Sequence, residues 1–256
     1  MKIAVSGKGG VGKTTISAAL IKFFLNSGYK VIAVDADPDV SLGLVLGIEN
    51  NLVHDLRPIV EMREIIKEKC GDGAFFPLNP QVDDILEKYS IKIGQLSFLK
   101  MGAVKQGGSN CYCRENTVLN ALINALVVNE NEIVLLDMGA GIEHLTRGTT
   151  YGVDLMIIVS EATQTSVNTA LTVKKLACEI GISEIKYIGN KIRNQKDIDF
   201  LIKTLPAQDI LGFVGYNEKV MELAMEILPL ENSSAAAIDL STIWKKILAK
   251  TVRPNV

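Results

Sequence analysis

Apolar residues along this chain fall into short runs that alternate with stretches of helical spacing. Lys2–Val5 and Tyr29–Asp35 read as buried strands, and between them apolar positions recur every three to four residues through Thr14–Asn26. Further strands are expected at Leu96–Met101, Glu132–Asp137, Asp154–Ser160, Glu184–Gly189 and Asp209–Val214. Helical spacing fills Asn116–Val128, Ser166–Ile180, Lys196–Lys203, Glu218–Glu226 and Asp239–Val252. Such alternation predicts an α/β fold: a doubly wound, mostly parallel sheet with helices on both faces. Residues 49–95 are polar and broken at Cys70–Gly73 and Pro77–Pro80, which predicts helices and loops over one end of the sheet. With strands spread from end to end and no Pro- or Ser-rich linker, 1–256 is expected to be a single domain. No internal repeat interrupts the pattern.

Composition narrows the function. Among 256 residues, 27 Lys+Arg face 29 Asp+Glu, giving a formal charge of -2. That balance offers no basic surface for generic nucleic-acid binding, and 5% aromatics argues against a base-stacking module. Four unevenly spaced cysteines do not form a secreted disulfide framework. No apolar run approaches the ~18 residues of a spanning helix. The start MKIAVSGKGG lacks the pattern of a signal peptide, so a cytoplasmic protein is expected.

Gly7-Lys8-Gly9-Gly10-Val11-Gly12-Lys13-Thr14 fits G-x-x-x-x-G-K-[ST] in full, between a strand candidate and a helix start. Glycines let the backbone wrap a phosphate with its N–H groups turned inward, and the next helix adds its positive end. Gly9, Gly10, Val11, Gly12, Lys13, Thr14 and Thr15 are therefore the expected nucleotide contacts. Lys13 would neutralise the β- and γ-phosphates, and the Thr14 hydroxyl would join a Mg²⁺ shell. Asn190 ends the run IKYIGNK, and its amide can pair with adenine; NKIR lacks the acid of a guanine-reading motif. ATP is the expected nucleotide and ADP the product.

Parallel sheets bind ligands at the carboxyl ends of their strands, so acids there carry the next expectation. Asp35, Asp37 and Asp39 follow the second strand in VDADPD, and Asp137 ends an apolar run in IVLLDMGAG. A carboxylate after four apolar residues is costly inside a sheet and belongs at its exit, near Mg²⁺ and its waters. Asp39 also suits a helix N-cap before Val40–Leu46.

Cys111-Tyr112-Cys113 follows a Gly-rich lead-in and precedes the helix pattern beginning at Asn116. In an extended or turn conformation, residues i and i+2 face one side; within a helix they diverge. Two thiolates cannot close a four-coordinate site, whereas a two-fold axis beside the pair would supply two more. Zn²⁺, Ni²⁺ and an iron–sulfur cluster all remain compatible, as do two buried thiols. Cys70 has no partner spacing, and Cys178 in LTVKKLACEI reads as a core residue. His54 and His144 are lone histidines, the former read as structural.

GKGGVGKTT, with its second lysine Lys8, resembles the deviant phosphate loop of the nitrogenase-iron-protein/Min/Par class of ATPases. Together with VDADPD, the C-x-C, LLDMGAGIEHLTRGT and GNKIR in this order, it resembles the CooC-type ATPases over most of residues 1–230. The resemblance implies an ATP-hydrolysing metallochaperone and homodimer that assists nickel insertion into carbon monoxide dehydrogenase or acetyl-CoA synthase. It further implies that Lys8 reaches the partner's nucleotide and that Asp37 positions the attacking water. Asp35 would lie near Mg²⁺, while Asp137 holds a Mg²⁺-bound water and opens a switch through Gly139-Ala140-Gly141. Asn190 would bond adenine, and Cys111 and Cys113 would bind Ni²⁺ or Zn²⁺ at the dimer interface.

Three places depart from the family pattern. Arg114 and Ala162 stand where proline is expected, and Gly215-Tyr216-Asn217 stands for Pro-Tyr-Asp in the loop expected to line the adenine. A relative serving another client enzyme fits these changes. Two other readings are open: a Min/Par-like switch at a membrane surface, and an ATPase carrying an Fe–S cluster. The first draws on the C-terminal STIWKKILAKTV, where Ile243, Trp244, Ile247 and Leu248 share a face opposite Lys245, Lys246 and Lys250. A terminal helix packed on the sheet is the simpler reading of that face.

Overall fold

The computed structural model describes residues 1–37, 41–71, 77, 81–82, 84–102, 113–126, 129, 131–139, 153–225, 228, 232 and 238–251. Among the described residues, eight strands are β1 (Lys2–Gly7), β2 (Lys30–Ala36), β3 (Ser90–Ile93), β4 (Leu96–Lys100), β5 (Glu132–Met138), β6 (Leu155–Ser160), β7 (Ile185–Ile192) and β8 (Ile210–Gly215). They form one sheet in the order β3-β4-β2-β5-β1-β6-β7-β8. Every pairing is parallel except that of β3 with β4. The helices are α1 (Lys13–Asn26), α2 (Leu42–Val45), α3 (Asn50–Asp55), α4 (Arg63–Cys70), α5 (Ile85–Tyr89), α6 (Cys113–Ala125), α7 (Gln164–Glu179), α8 (Gln195–Thr204), α9 (Glu218–Leu223) and α10 (Ser241–Thr251).

Alternate side chains of the central strands feed two cores. Ile3, Val5, Ala33, Leu135 and Ile157 pack with α1, α2 and α10 on one face. Ala4, Val34, Leu136 and Ile158 pack with α4, α6 and α7 on the other. Burial on both faces is why these strands read as unbroken apolar runs rather than as alternating ones. The same pleat fixes the site. Val5 pairs with Asp137 across β1 and β5, and Asp137 pairs with Asp35 across β5 and β2, so both acids emerge beside the phosphate loop.

Four sequence expectations change here. Within 49–95, Ser90–Ile93 is a strand rather than a loop, folded back on β4 as an antiparallel edge. It is short and mostly exposed, so its apolar alternation is too brief to register. Second, α6 starts at Cys113, three residues before the expected Asn116. Third, Cys178 is exposed: Val167, Ala170, Val173 and Ala177 form the buried stripe of α7, and Cys178 lies a further ~100° round the helix. Fourth, His54 is solvent-exposed beside Asp55 rather than packed.

The C-terminal helix takes the simpler of its two readings. Ile243, Trp244 and Ile247 are buried, and Trp244 packs tilted against Phe23 and edge-to-face against Phe24 of α1, with ring centroids 4.6 and 4.4 Å apart. Three of the four apolar residues that could face a membrane, Ile243, Trp244 and Ile247, are therefore taken up by the protein's own core. Among the described residues no helix is long and apolar enough to cross a membrane.

Candidate nucleotide site

The phosphate loop joins β1 to α1 and needs its glycines for two different reasons. Gly10 and Gly12 adopt φ of 79° and 92°, left-handed values that disfavour a side chain. At Gly7 a Cβ would lie 2.3 Å from the Val159 carbonyl oxygen, so β6 can approach only a bare backbone. Val11 is fully buried and anchors the loop tip to the α1 core.

Lys13 is 7% exposed, with its ammonium 3.8 Å from an Asp37 carboxylate oxygen and 3.4 Å from the Lys8 carbonyl oxygen that accepts from it. A cation held this close to the loop can exchange those partners for phosphate oxygens with little rearrangement. Lys8 points elsewhere: its ammonium donates to Thr165 Oγ1 at 3.2 Å, at the start of α7 in the same chain.

Asp35 and Asp137 are both fully buried. Burial, followed by the charge of Asp137, raises the Asp35 carboxyl to about 7; amides of Leu42 and Asp37 donating to it moderate the rise. Through that 2.8 Å bond, Asp35 serves the first amide of α2. The N-cap position of α2 is Ser41, while Asp39 lies outside the described residues. Burial also raises Asp137, to about 6, against the hydroxyls of Thr14 and Ser17 and the charge of Lys13. Ser17 Oγ donates to Asp137 Oδ1 at 2.8 Å, whereas Asp137 Oδ2 is buried with no hydrogen-bond partner.

That orphaned oxygen is the observation on which Mg²⁺ can be tested. A buried acceptor without a donor is costly, and a hydrated cation would satisfy it. Thr14, Asp35 and Asp137 form a hard-oxygen set that suits this ion. The residues present fit.

Beyond the loop, a cavity of about 340 Å³ is lined by Gly12, Thr15, Asn190, Lys191, Tyr216 and Asn217, among others. It is the natural place for a base. The departing segment Gly215-Tyr216-Asn217 does line it, and Asn217 caps α9 by accepting from the Lys219 amide at 3.0 Å. Asn190 is buried, and its Nδ2 donates to the Val11 carbonyl at 2.8 Å, so one half of its amide already serves the loop. Ala162 packs against the core beside α7, and nothing in the structure explains its replacing proline.

The metal-ligand pair is placed only in part. Cys113 is the first residue of α6, while Cys111, His144 and residues 140–152 lie outside the described residues. Among the described residues no group of three or more His, Cys, Asp or Glu could hold a metal ion.

Sequence reasoning missed several contributors. Ser17 was detectable, since it follows Thr14 by three residues and so shares its helix face. Ser6, which donates to the Gly139 carbonyl at 2.9 Å, carries no pattern of its own. Lys191, within β7, and Arg193, whose guanidinium lies 4.9 Å from the Tyr216 ring centre, act through contacts distant in sequence.

Comparison with known proteins agrees with this geometry. Residues 2–230 match the family model described as the CobQ/CobB/MinD/ParA nucleotide binding domain. The chain is 41% identical to an ATP-binding protein of Methanocaldococcus jannaschii, covering 97% of this chain and 98% of that one. It is 36% identical to the carbon monoxide dehydrogenase accessory protein CooC of Rhodospirillum rubrum, over 100% and 98% respectively. Among solved structures, the cell division ATPase MinD of Pyrococcus furiosus superposes with a TM-score of 0.66 at 19% identity, covering 98% and 99%. The chain is an ATPase of the CobQ/CobB/MinD/ParA nucleotide-binding family and, within it, belongs with the CooC-type ATPases.

Proposed function

We propose that this ATPase is a metallochaperone that closes into a homodimer on ATP and carries Ni²⁺, or Zn²⁺, on Cys111 and Cys113 of both copies. Its client would be a nickel enzyme, carbon monoxide dehydrogenase or acetyl-CoA synthase. The observation that carries this reading is the full-length 36% identity to a carbon monoxide dehydrogenase accessory protein. The helix that begins at Cys113 supports it by packing into the same core as β2 and β5, whose ends bear Asp35 and Asp137. Each chain would be one ATPase domain over 1–256, with half of a four-thiolate site.

In this mechanism the amides of Gly9–Thr15 grip the phosphates, and Lys13 leaves Asp37 to neutralise them. The Asp37 carboxylate then orients a water in line with the γ-phosphorus. The water oxygen bonds to phosphorus as the bond to the ADP oxygen breaks, and phosphate leaves. Thr14, Asp35 and Asp137 would hold Mg²⁺, which when bound neutralises charge on the transferring group. Lys8 would leave Thr165 to reach the partner's nucleotide and stabilise that charge from across the dimer. Gly139, tied to β1 through Ser6, begins the segment that would report phosphate loss towards the cysteines. Only contacts that differ between the ATP and ADP states can shift the metal site.

The test is metal analysis of the ATP-bound protein prepared without oxygen in Ni²⁺ or Zn²⁺. About one metal per dimer is expected, lost in Cys111→Ser. Undiminished metal in that variant would sink the assignment. A brown preparation containing sulfide would instead favour the Fe–S reading. The membrane-surface reading is weakened, because Ile243, Trp244 and Ile247 of its apolar face are buried.

A further inference from the structure

Two consecutive residues of β7 reach back to the phosphate loop. Asn190 Nδ2 donates to the Val11 carbonyl at 2.8 Å, and the Lys191 ammonium donates to the Gly10 carbonyl at 2.6 Å. Lys191 does this from an unusual backbone. Its φ is 58°, the one positive value among the described residues other than glycine. A left-handed conformation is unfavourable for an ordinary side chain, so something must offset it there. Lys191 sits where the pairing of β7 with β8 slips register, between Gly189 and Ile192, and it lines the base cavity.

What the lysine holds is a carbonyl that must face away from the ligand. A phosphate nest works only if successive N–H groups point inward, which requires the intervening carbonyls to point out. Gly10, at φ 79°, has the freedom to turn its neighbouring peptide planes either way. An ammonium bonded to the Gly10 oxygen removes that freedom by fixing the outward orientation. Asn190 does the same for the next carbonyl in the chain, so two adjacent peptides are pinned from one strand.

We propose that Lys191 is a positioning residue that preorganises the phosphate loop through the Gly10 carbonyl, and that it acts on the phosphates rather than on the base it lies beside. The inference rests on nucleotide binding at this loop. It makes the base wall and the phosphate loop one mechanical unit: the lysine is paired with backbone, and the base meets only its stem.

The test separates the two ends of the nucleotide. Binding of inorganic tripolyphosphate and of adenosine is measured by calorimetry on the full chain for wild type, Lys191→Met and Lys191→Arg. Methionine keeps the stem and removes the donor; arginine restores it. Lys191→Met is expected to weaken tripolyphosphate about tenfold, as befits a lost charge-assisted bond, and to change adenosine less than about twofold. Lys191→Arg should recover most of the tripolyphosphate loss, which a general folding defect would not. Unchanged tripolyphosphate binding in Lys191→Met, or a loss confined to adenosine, overturns the proposal. If wild type binds neither tripolyphosphate nor ATP, the reading of the loop itself fails.

Discussion

The two ends of the nucleotide site are built in opposite ways. On the phosphate side, Lys13, Asp35 and Asp137 are buried, and each already has a partner in the chain: Asp37, the Leu42 amide and the Ser17 hydroxyl respectively. On the base side, Tyr216 is 41% exposed under the Arg193 guanidinium, and Met221 is also exposed at the cavity wall. Buried charges arranged at strand ends are costly to keep and cheap to use, since the reorganisation has been done during folding. An open aromatic lip is cheap to keep and contributes by contact area once a base arrives. The difference implies that phosphate recognition dominates affinity and hydrolysis, while the base side sets modest selectivity.

The largest effect expected from breaking this contrast is at Lys13. Lys13→Met removes the cation that pairs with Asp37 and holds down Asp137, and ATP hydrolysis should fall by at least about a hundredfold in a phosphate-release assay. Activity within a few-fold of wild type would mean that the buried cation is structural.

A second effect reads the buried acids through pH. Asp35 and Asp137 are raised from 3.8 to about 7 and about 6, chiefly by burial. Between those values and 3.8 the folded chain holds protons that the unfolded chain has released, so stability falls as pH rises through that window. Nucleotide-free protein in a chelator should therefore lose thermal midpoint from pH 5 to pH 8. Asp35→Asn should flatten most of that slope and raise the midpoint at pH 8. A wild-type profile that is flat or rising over this range would show that the carboxyls are already ionised.

The smallest effect lies on the open side. Tyr216→Ala should weaken ATP two- to fivefold and leave tripolyphosphate unchanged, as a partly exposed aromatic contact predicts. Equal losses for both ligands would erase the distinction between the two ends.

Much of this arrangement was legible before any coordinates. The spacing bounds seven parallel strands to within a few residues, and the central ones, buried on both faces, read as continuous apolar runs. The phosphate loop declared itself by spacing and flanks. The edge strand Ser90–Ile93 did not, since an exposed edge leaves little apolar signal in four residues. Cys178 was misread because one residue of helix phase separates the buried Ala177 from solvent.

The sequence by itself determined the α/β class, the loop GKGGVGKT and the acids that end β2 and β5, because local spacing encodes all three. Only the tertiary structure decided that β2 lies next to β5, which sets Asp35 beside Asp137, whose charge adds to burial in raising the Asp35 carboxyl. It also decided that α10 spends its apolar face on Phe23 and Phe24, and that Lys191 reaches Gly10 from 181 residues away. Strand order, helix docking and a left-handed residue within β7 depend on what the rest of the chain brings alongside, and no local pattern records that.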